Sequence, residues 1–123
     1  MTGLTYDTGA LIAAERNDRA LWRTHRLALA KGIQPTVPAG VLAEAWRGGP
    51  QHLMSRLLKG CRIEPLDEEQ ARAVGALAAT TSLDDTVDLT VTEGALRRGD
   101  SVVTSNPTHI AQASEGSLDL IEV

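Results

Sequence analysis

The sequence has few of the residues that form stacking platforms, disulfides or membrane spans. Phenylalanine is absent and aromatic residues make up 2% of the 123 positions, so we expect no platform of stacked rings for single-stranded nucleic acid. The single cysteine, Cys61, allows no internal disulfide and no thiolate metal cage. No apolar run approaches the roughly 20 residues of a membrane helix, and the N-terminus lacks the basic and then apolar order of a signal peptide. These absences predict a cytoplasmic protein that contacts no membrane.

The composition is that of a soluble globular protein with an acidic balance. Hydrophobic residues make up 42% and charged residues 23% of the chain, which is typical of globular domains. The length fits one domain over residues 1–123. The net charge of −4 argues against a domain that simply coats nucleic acid, because such domains are basic. Ten of the twelve basic residues are arginines, and arginine pairs well with phosphates and carboxylates.

Strand-like segments alternate with helical segments along the whole chain. The predicted strands cover 4–6, 33–37, 61–64, 101–104 and 118–121. The predicted helices cover 10–15, 18–31, 38–47, 50–59 and 85–98, with one more capped by Asp67 and one beginning after Asn106. Such alternation predicts an α/β fold with a mainly parallel sheet flanked by helices.

Polar residues follow the predicted strands, at the edge where α/β sheets bind their ligands. Asp7 ends the first strand, and Glu44 lies in the helix after the second. Asp88 occupies the first turn of the helix that begins near 85, and Asn106 follows the strand 101–104. Neighbouring carboxylates repel one another unless a cation neutralises them. A hard divalent ion such as Mg²⁺, which prefers oxygen ligands, is therefore expected here.

Four short segments carry a resemblance to a known family. They are Tyr-Asp-Thr-Gly-Ala-Leu-Ile-Ala-Ala-Glu at 6–15, Val-Pro-Ala-Gly-Val-Leu-Ala-Glu-Ala-Trp-Arg at 37–47, Asp-Thr-Val-Asp-Leu at 85–89 and Val-Val-Thr-Ser-Asn-Pro at 102–107. In this order, and spread over the whole chain, they resemble the PIN-domain ribonucleases, in particular the VapC-type toxins of type II toxin–antitoxin pairs. The resemblance implies a PIN-like domain with a five-stranded parallel sheet and an endoribonuclease activity that depends on Mg²⁺ or Mn²⁺.

The resemblance also implies a role for each site residue. Asp7 and Asp88 would be the metal ligands, and Glu44 would hold a metal-bound water or a second ion. Asn106, together with Thr104, would complete the pocket. Thr8 and Asp85 are secondary candidates. Where the family usually has Asp in a Thr-Ser-Asp-Pro run, this chain has Asn106, so we expect weaker metal binding.

The resemblance implies partners as well as chemistry. The substrate would be RNA, cut to leave 5′-phosphate and 3′-hydroxyl ends. A VapB-like antitoxin would neutralise the enzyme by placing a basic side chain among the acids. A homodimer and a hetero-oligomer of toxin and antitoxin are the expected assemblies.

Other interpretations of these residues stay open at this point. Asp7-Thr8-Gly9 also spells the signature of aspartic proteases, and Asp7 alone suits a helix N-cap. Glu44 lies among apolar neighbours and needs a partner, either a metal-bound water or an arginine such as Arg47. The substitution at Asn106 leaves room for a catalytically weakened PIN-like domain that only binds RNA or a partner.

Arginines with helical spacing form a candidate contact surface. Residues that this prediction assigns to substrate or partner contact are Arg16, Arg19, Trp22, Arg23, Arg26 and Arg47. The four arginines up to Arg26 share one helical face if the chain bends little near Asn17, and a solvated basic face is the alternative. Trp22 and Leu29 add apolar side chains that suggest a protein interface. The three histidines, at 25, 52 and 109, share no metal-ligand spacing and are expected to be surface or core residues.

Overall fold

Five strands and seven helices alternate along residues 3–123, the part of the chain that this computed structural model describes. The strands are β1 (Leu4–Tyr6), β2 (Thr36–Pro38), β3 (Arg62–Glu64), β4 (Ser101–Thr104) and β5 (Leu120–Glu122). The helices are α1 (Thr8–Glu15), α2 (Arg19–Ala30), α3 (Ala39–Ala45), α4 (His52–Leu58), α5 (Glu68–Ala78), α6 (Thr86–Arg98) and α7 (Pro107–Ser114). None of these helices is long and apolar enough to cross a bilayer.

The strands form one parallel sheet in the order β3-β2-β1-β4-β5. In register, Thr5 of β1 lies between Thr36 of β2 and Val102 of β4. The chain builds the sheet outward from β1 to β3, then returns to add β4 on the other side of β1. The crevice beyond the carboxyl ends of β1 and β4 is therefore the switch point at which α/β sheets bind ligands. The predicted α/β fold with a parallel sheet of five strands is confirmed.

The sheet and its helices enclose a core built from the strand residues and the inner helix faces. Tyr6, Val37, Val102 and Val103 are completely buried, as expected of central strands covered on both faces. The phenol of Tyr6 contacts His25 Nδ1 at 2.8 Å, which satisfies two polar groups inside this core. His25 is thus a core residue, one of the two outcomes expected for it.

Several helix boundaries differ from the sequence prediction by one or two residues. Pro38 ends β2 and caps α3 rather than lying inside a helix, and α3 stops at Ala45 instead of 47. The two predicted helices over 10–15 and 18–31 are separate helices in the structure, and Asn17 between them adopts a left-handed backbone with φ of 59°. Arg16 is the C-cap of α1, and the prediction that it shares a face with the arginines of α2 is wrong.

Trp22 is buried, which corrects its assignment as a contact residue. Only 6% of it is exposed, and its indole N–H donates to the Ala14 carbonyl of α1 at 3.1 Å. Its ring packs edge-on against His25 and lies 5.2 Å from the guanidinium carbon of Arg56. Trp22 therefore joins α2 to the core, whereas Leu29 is 44% exposed.

Candidate metal centre

Asp7 lies between the end of β1 and the start of α1, and its carboxylate makes two kinds of contact there. Its Oδ1 accepts a hydrogen bond from the Ala10 N–H at 2.9 Å, which caps the helix. The Thr104 hydroxyl at the end of β4 also bonds the carboxylate. Asp7 is 7% exposed. The structure confirms that Asp7 caps α1, as its sequence position suggests. The Asp7 carboxylate lies at the edge of the sheet formed by the carboxyl ends of β1 and β4.

The environment of Asp7 disfavours its negative charge. Burial is the main cause that raises the pKa of Asp7, and the nearby Asp88 carboxylate raises it further. The hydrogen bonds from Thr104 and from the Ala10 N–H oppose this effect without cancelling it. Asp7 is thus a buried carboxylate that lacks a compensating positive charge among residues 3–123.

Asp88 approaches the same region from the first turn of α6. The helix begins there because Asp85 Oδ1 accepts the Asp88 N–H at 2.9 Å, so Asp85 acts as the cap and Asp88 projects one turn further. Burial raises the pKa of Asp88, and repulsion from Asp85 and Glu44 adds to the rise. Asp88 is therefore within electrostatic reach of Asp7, Asp85 and Glu44.

Glu44 reaches the site from α3 and is exposed, contrary to the expectation that apolar neighbours enclose it. Its partner is Thr8, whose hydroxyl donates to Glu44 Oε1 at 2.6 Å. Arg47, the protein partner considered from the sequence, instead donates to the carbonyl of Trp46 at 2.8 Å and more weakly to that of Ala43. The Thr8 contact ties Glu44 to the start of α1, directly after Asp7.

Asn106 is connected to the acidic residues by its backbone N–H and not by its side-chain amide. Its N–H donates to the Thr104 hydroxyl oxygen at 2.9 Å. Although Asn106 is the N-cap of α7, its side chain makes no capping bond and is exposed. The same Thr104 side chain thus connects Asn106 to Asp7, while the amide remains free to face solvent or a ligand.

A close approach between α1 and the loop after β4 shapes one wall of the site. A Cβ on Gly9 would collide with the Ser105 side chain and lie 3.2 Å from the Ser105 nitrogen. Glycine is the residue that permits this contact. A common groove is lined by Gly9, Ser105 and Arg16. Arg16 therefore remains a candidate substrate contact, although it belongs to the end of α1 and not to α2.

His109 belongs to the site, and sequence reasoning missed it. It stands in the first turn of α7, with its Nδ1 3.4 Å from Asp88 Oδ2 and its side chain 53% exposed. The prediction of a surface or core residue rested on the lack of a metal-ligand spacing among the histidines. The available signal was its position three residues after Asn106, which places it on the first turn above the carboxyl edge.

The donor set fits a hard divalent ion that keeps most of its waters. Within residues 3–123, no three side chains of His, Cys, Asp or Glu stand together as a ready ligand cluster. The centre offers two carboxylates, Asp7 and Asp88, and the charge of Asp88 raises the pKa of Asp7. Mg²⁺ is typically held by one or two carboxylates and several waters, and its charge would relieve the repulsion. Asp7 and Asp88 therefore suit Mg²⁺ better than an ion that needs a complete protein cage.

The remaining candidate contacts lie outside this centre. Arg19, Arg23 and Arg26 are exposed on α2, consistent with either a basic contact face or a solvated one. The aspartic protease alternative finds no support in the fold, because the Asp7-Thr8-Gly9 segment runs into a helix beside a parallel sheet. Those proteases place each such loop in a β-rich fold.

Comparison with known proteins defines the fold class. No family model matches the chain, and no curated protein matches it. Solved structures of toxin–antitoxin complexes do match over nearly its full length. The chain therefore has the PIN-like fold that the sequence resemblance implies.

Three of these structures illustrate the likeness. VapBC2 from Rickettsia felis, bound to a promoter DNA fragment, matches with a TM-score of 0.76 and 17% identity over 98% of both chains. DNA-bound VapBC from Salmonella typhimurium matches with a TM-score of 0.75 and 14% identity, covering 99% of this chain and 98% of that one. A toxin–antitoxin complex from Klebsiella pneumoniae matches with a TM-score of 0.71 and 19% identity, covering 98% and 100%. At these identities the likeness establishes the shared fold.

Proposed function

We propose that the protein is a metal-dependent endoribonuclease that acts as the toxin of a type II toxin–antitoxin pair. The observation that carries the proposal is the approach of Asp7 and Asp88 at the carboxyl edge of β1 and β4, where the Asp88 carboxylate raises the pKa of the buried Asp7 and the carboxylates of Asp85 and Glu44 raise the pKa of Asp88. The fold shared with chains of toxin–antitoxin complexes supports the same function.

In this proposal, the residues of the centre have separate roles in metal binding and in activation of the attacking water. Asp7 and Asp88 would hold Mg²⁺ or Mn²⁺, which supplies positive charge for the transition state and lowers the pKa of a water molecule. Glu44 has one oxygen occupied by the Thr8 hydroxyl, and its other oxygen orients the attacking water and accepts its proton. The water oxygen would attack phosphorus in line with the P–O3′ bond, which breaks. The products are then a 5′-phosphate and a 3′-hydroxyl, whose oxygen takes a proton from solvent.

A VapB-like antitoxin is the proposed partner that silences this activity. The structures with the same fold are described as VapBC or toxin–antitoxin complexes, some of them bound to DNA. A basic antitoxin side chain placed between Asp7 and Asp88 would satisfy the same charge deficit as the ion. Inhibition would then compete with Mg²⁺.

The test is cleavage of RNA by the purified protein with its ends mapped. We expect cleavage that EDTA stops and added Mg²⁺ restores, and no cleavage by the Asp7→Ala or Asp88→Ala variant. Asp67→Ala is the matched control, because Asp67 caps α5 through the Gln70 N–H as Asp7 caps α1 through the Ala10 N–H. Loss of activity in the control alone, or full activity in either site variant, would contradict the proposal.

A second candidate function is a PIN-like domain that binds RNA or a partner without cutting. The observation that favours it is Asn106, an amide that brings no negative charge to the centre, together with the lack of a third ligand among the described residues. RNA binding without Mg²⁺-restored cleavage would favour this candidate over the nuclease.

A further inference from the structure

His109 faces one oxygen of the Asp88 carboxylate from the first turn of α7. Its neighbour Ile110 is 1% exposed in the main core, and Pro107 occupies the first turn of the same helix. These two residues fix the first turn of α7, from which the His109 Nδ1 lies 3.4 Å from Asp88 Oδ2. The packing of α7 against α6 therefore places His109, whose side chain is 53% exposed, beside Asp88.

His109 also stands alone as a basic neighbour of the acids. Within residues 3–123, no other His, Lys or Arg side chain lies within ion-pair distance of Asp7, Glu44, Asp85 or Asp88. Over the same residues the second oxygen of Asp88 makes no hydrogen bond within the chain. One oxygen of Asp88 is thus engaged and the other is available.

We propose that His109 is a positioning residue that holds Asp88 Oδ2 through its Nδ1–H and so presents the other Asp88 oxygen to the metal ion. This inference rests on the proposed function, because it assigns a role toward the same ion. Groups that hold a ligating side chain in place change metal affinity by about 10–100-fold when they are removed.

The first experiment tests the contact in the absence of metal. Nitrogen-resolved NMR of the neutral His109 ring reports which nitrogen carries the proton. We expect the Nδ1–H tautomer in the unaltered protein and a shift toward the Nε2–H tautomer in the Asp88→Ala variant. An Nε2–H tautomer in the unaltered protein would overturn the inference and leave the proposed nuclease untouched.

The second experiment measures Mg²⁺ affinity by calorimetry in three His109 variants. We expect His109→Ala to weaken binding about 10-fold or more. His109→Asn should restore most of the affinity, because the Asn amide nitrogen sits close to the position of the imidazole Nδ1. His109→Gln, whose amide nitrogen corresponds to Nε2, should not restore it. His52→Ala, which removes an exposed histidine at the start of α4, is the matched control.

The outcomes separate the inference from the proposed function. Unchanged or tighter Mg²⁺ binding by His109→Ala overturns the positioning role while the nuclease stands. A failure of the unaltered protein to bind Mg²⁺ contradicts the proposed function, and the role of His109 toward the ion falls with it; the tautomer measurement then still decides whether the contact with Asp88 exists.

Discussion

Asp7 shows how one residue serves both the fold and the site. Its carboxylate caps α1 and accepts the Thr104 hydroxyl, yet burial leaves its charge in an unfavourable place. The cap stabilises the folded protein, whereas the buried negative charge of Asp7 destabilises it when no cation is bound. Such strain at a site is the pattern expected where function and stability compete.

This conflict gives a prediction for Asp7→Asn. The folded state raises the pKa of Asp7 above its ordinary value, so the folded chain binds a proton more readily than the unfolded chain. The stability of the metal-free protein therefore falls as the pH rises through the raised pKa. Asn keeps the cap without the charge, so we expect the free energy of unfolding at pH 7 to rise by roughly 0.5–2 kcal/mol.

Urea titrations with and without Mg²⁺ check this result. Mg²⁺ should stabilise the unaltered protein and leave Asp7→Asn unaffected. A variant that is less stable than the unaltered protein at pH 7 without metal would show that the Asp7 charge is not a burden in the fold.

Asn106 yields the second prediction at this scale. Asn106→Asp adds a negative charge close to Thr104, without disturbing an existing capping bond. We expect the Mg²⁺ concentration for half-maximal RNA cleavage to fall in this variant. A midpoint that does not move in the metal titration would show that position 106 lies outside the reach of the ion.

At the scale of elements, a buried ion network joins the sheet to the end of α6. The Arg98 guanidinium donates to Glu64 of β3 at 2.8 Å, to Thr5 of β1 at 2.8 Å and to Asp100 at 2.9 Å. Gly94 makes room for it, because a Cβ there would lie 2.9 Å from the Arg98 nitrogens. Arg98 thus holds α6, which carries Asp88, against two strands.

Removal of Arg98 should destabilise the protein strongly. Arg98→Ala leaves the buried Asp100 carboxylate without its arginine, whereas Glu64 keeps its ion pairs with Arg62 and Arg97. We expect a loss of roughly 3 kcal/mol in the free energy of unfolding, mainly from the Asp100 charge. Arg72→Ala is the control, since Arg72 and Glu68 form an exposed pair whose removal should cost less than about 1 kcal/mol. Equal losses in the two variants by urea denaturation would show that the network is energetically no more than a surface pair.

The elements were easier to predict from the sequence than their contacts. The strands 4–6 and 101–104 were predicted with their observed bounds, because short apolar runs there are flanked by turn residues. Pairing in β2 begins only at Thr36, so the predicted strand from 33 was too early. The burial of Trp22 depends on the Ala14 carbonyl of another helix, which no local pattern reveals.

In the candidate site too, the positions of single residues were easier to predict from the sequence than the contacts between them. Asp7 and Asp88 could be predicted because each occupies a position that local rules recognise, the end of a strand and the first turn of a helix. The Thr8–Glu44 bond joins residues 36 positions apart, and the contact of His109 with Asp88 depends on how α7 packs on α6. Such tertiary contacts lie beyond periodicity and spacing.

At the scale of the whole molecule, the proposed nuclease is an acidic chain that would have to attract RNA. Arg16 lies in a groove with Gly9 and Ser105, whereas Arg23 lies on the exposed face of α2. Because phosphate contacts release counterions, each one adds to the salt dependence of binding. The two arginines therefore mark two alternative paths for the RNA backbone.

We expect the path to pass Arg16. Arg16→Ala should raise KM for a short RNA with little change in kcat, and should lower the slope of log(kcat/KM) against log salt by about one. Arg23→Ala should change neither quantity. If Arg23→Ala produces the larger effect, the RNA runs along α2 instead.

The central claim is that Asp7 and Asp88 bind the same ion, and a double-mutant cycle of Mg²⁺ affinity tests it most directly. Calorimetry on the unaltered protein, Asp7→Asn, Asp88→Asn and the double variant gives the four affinities. We expect one ion per chain, a large loss for either single change, and little further loss for the second change, because residues that share a partner are not additive. Two independent losses that sum in the double variant, or an affinity that no variant alters, would contradict a shared metal centre.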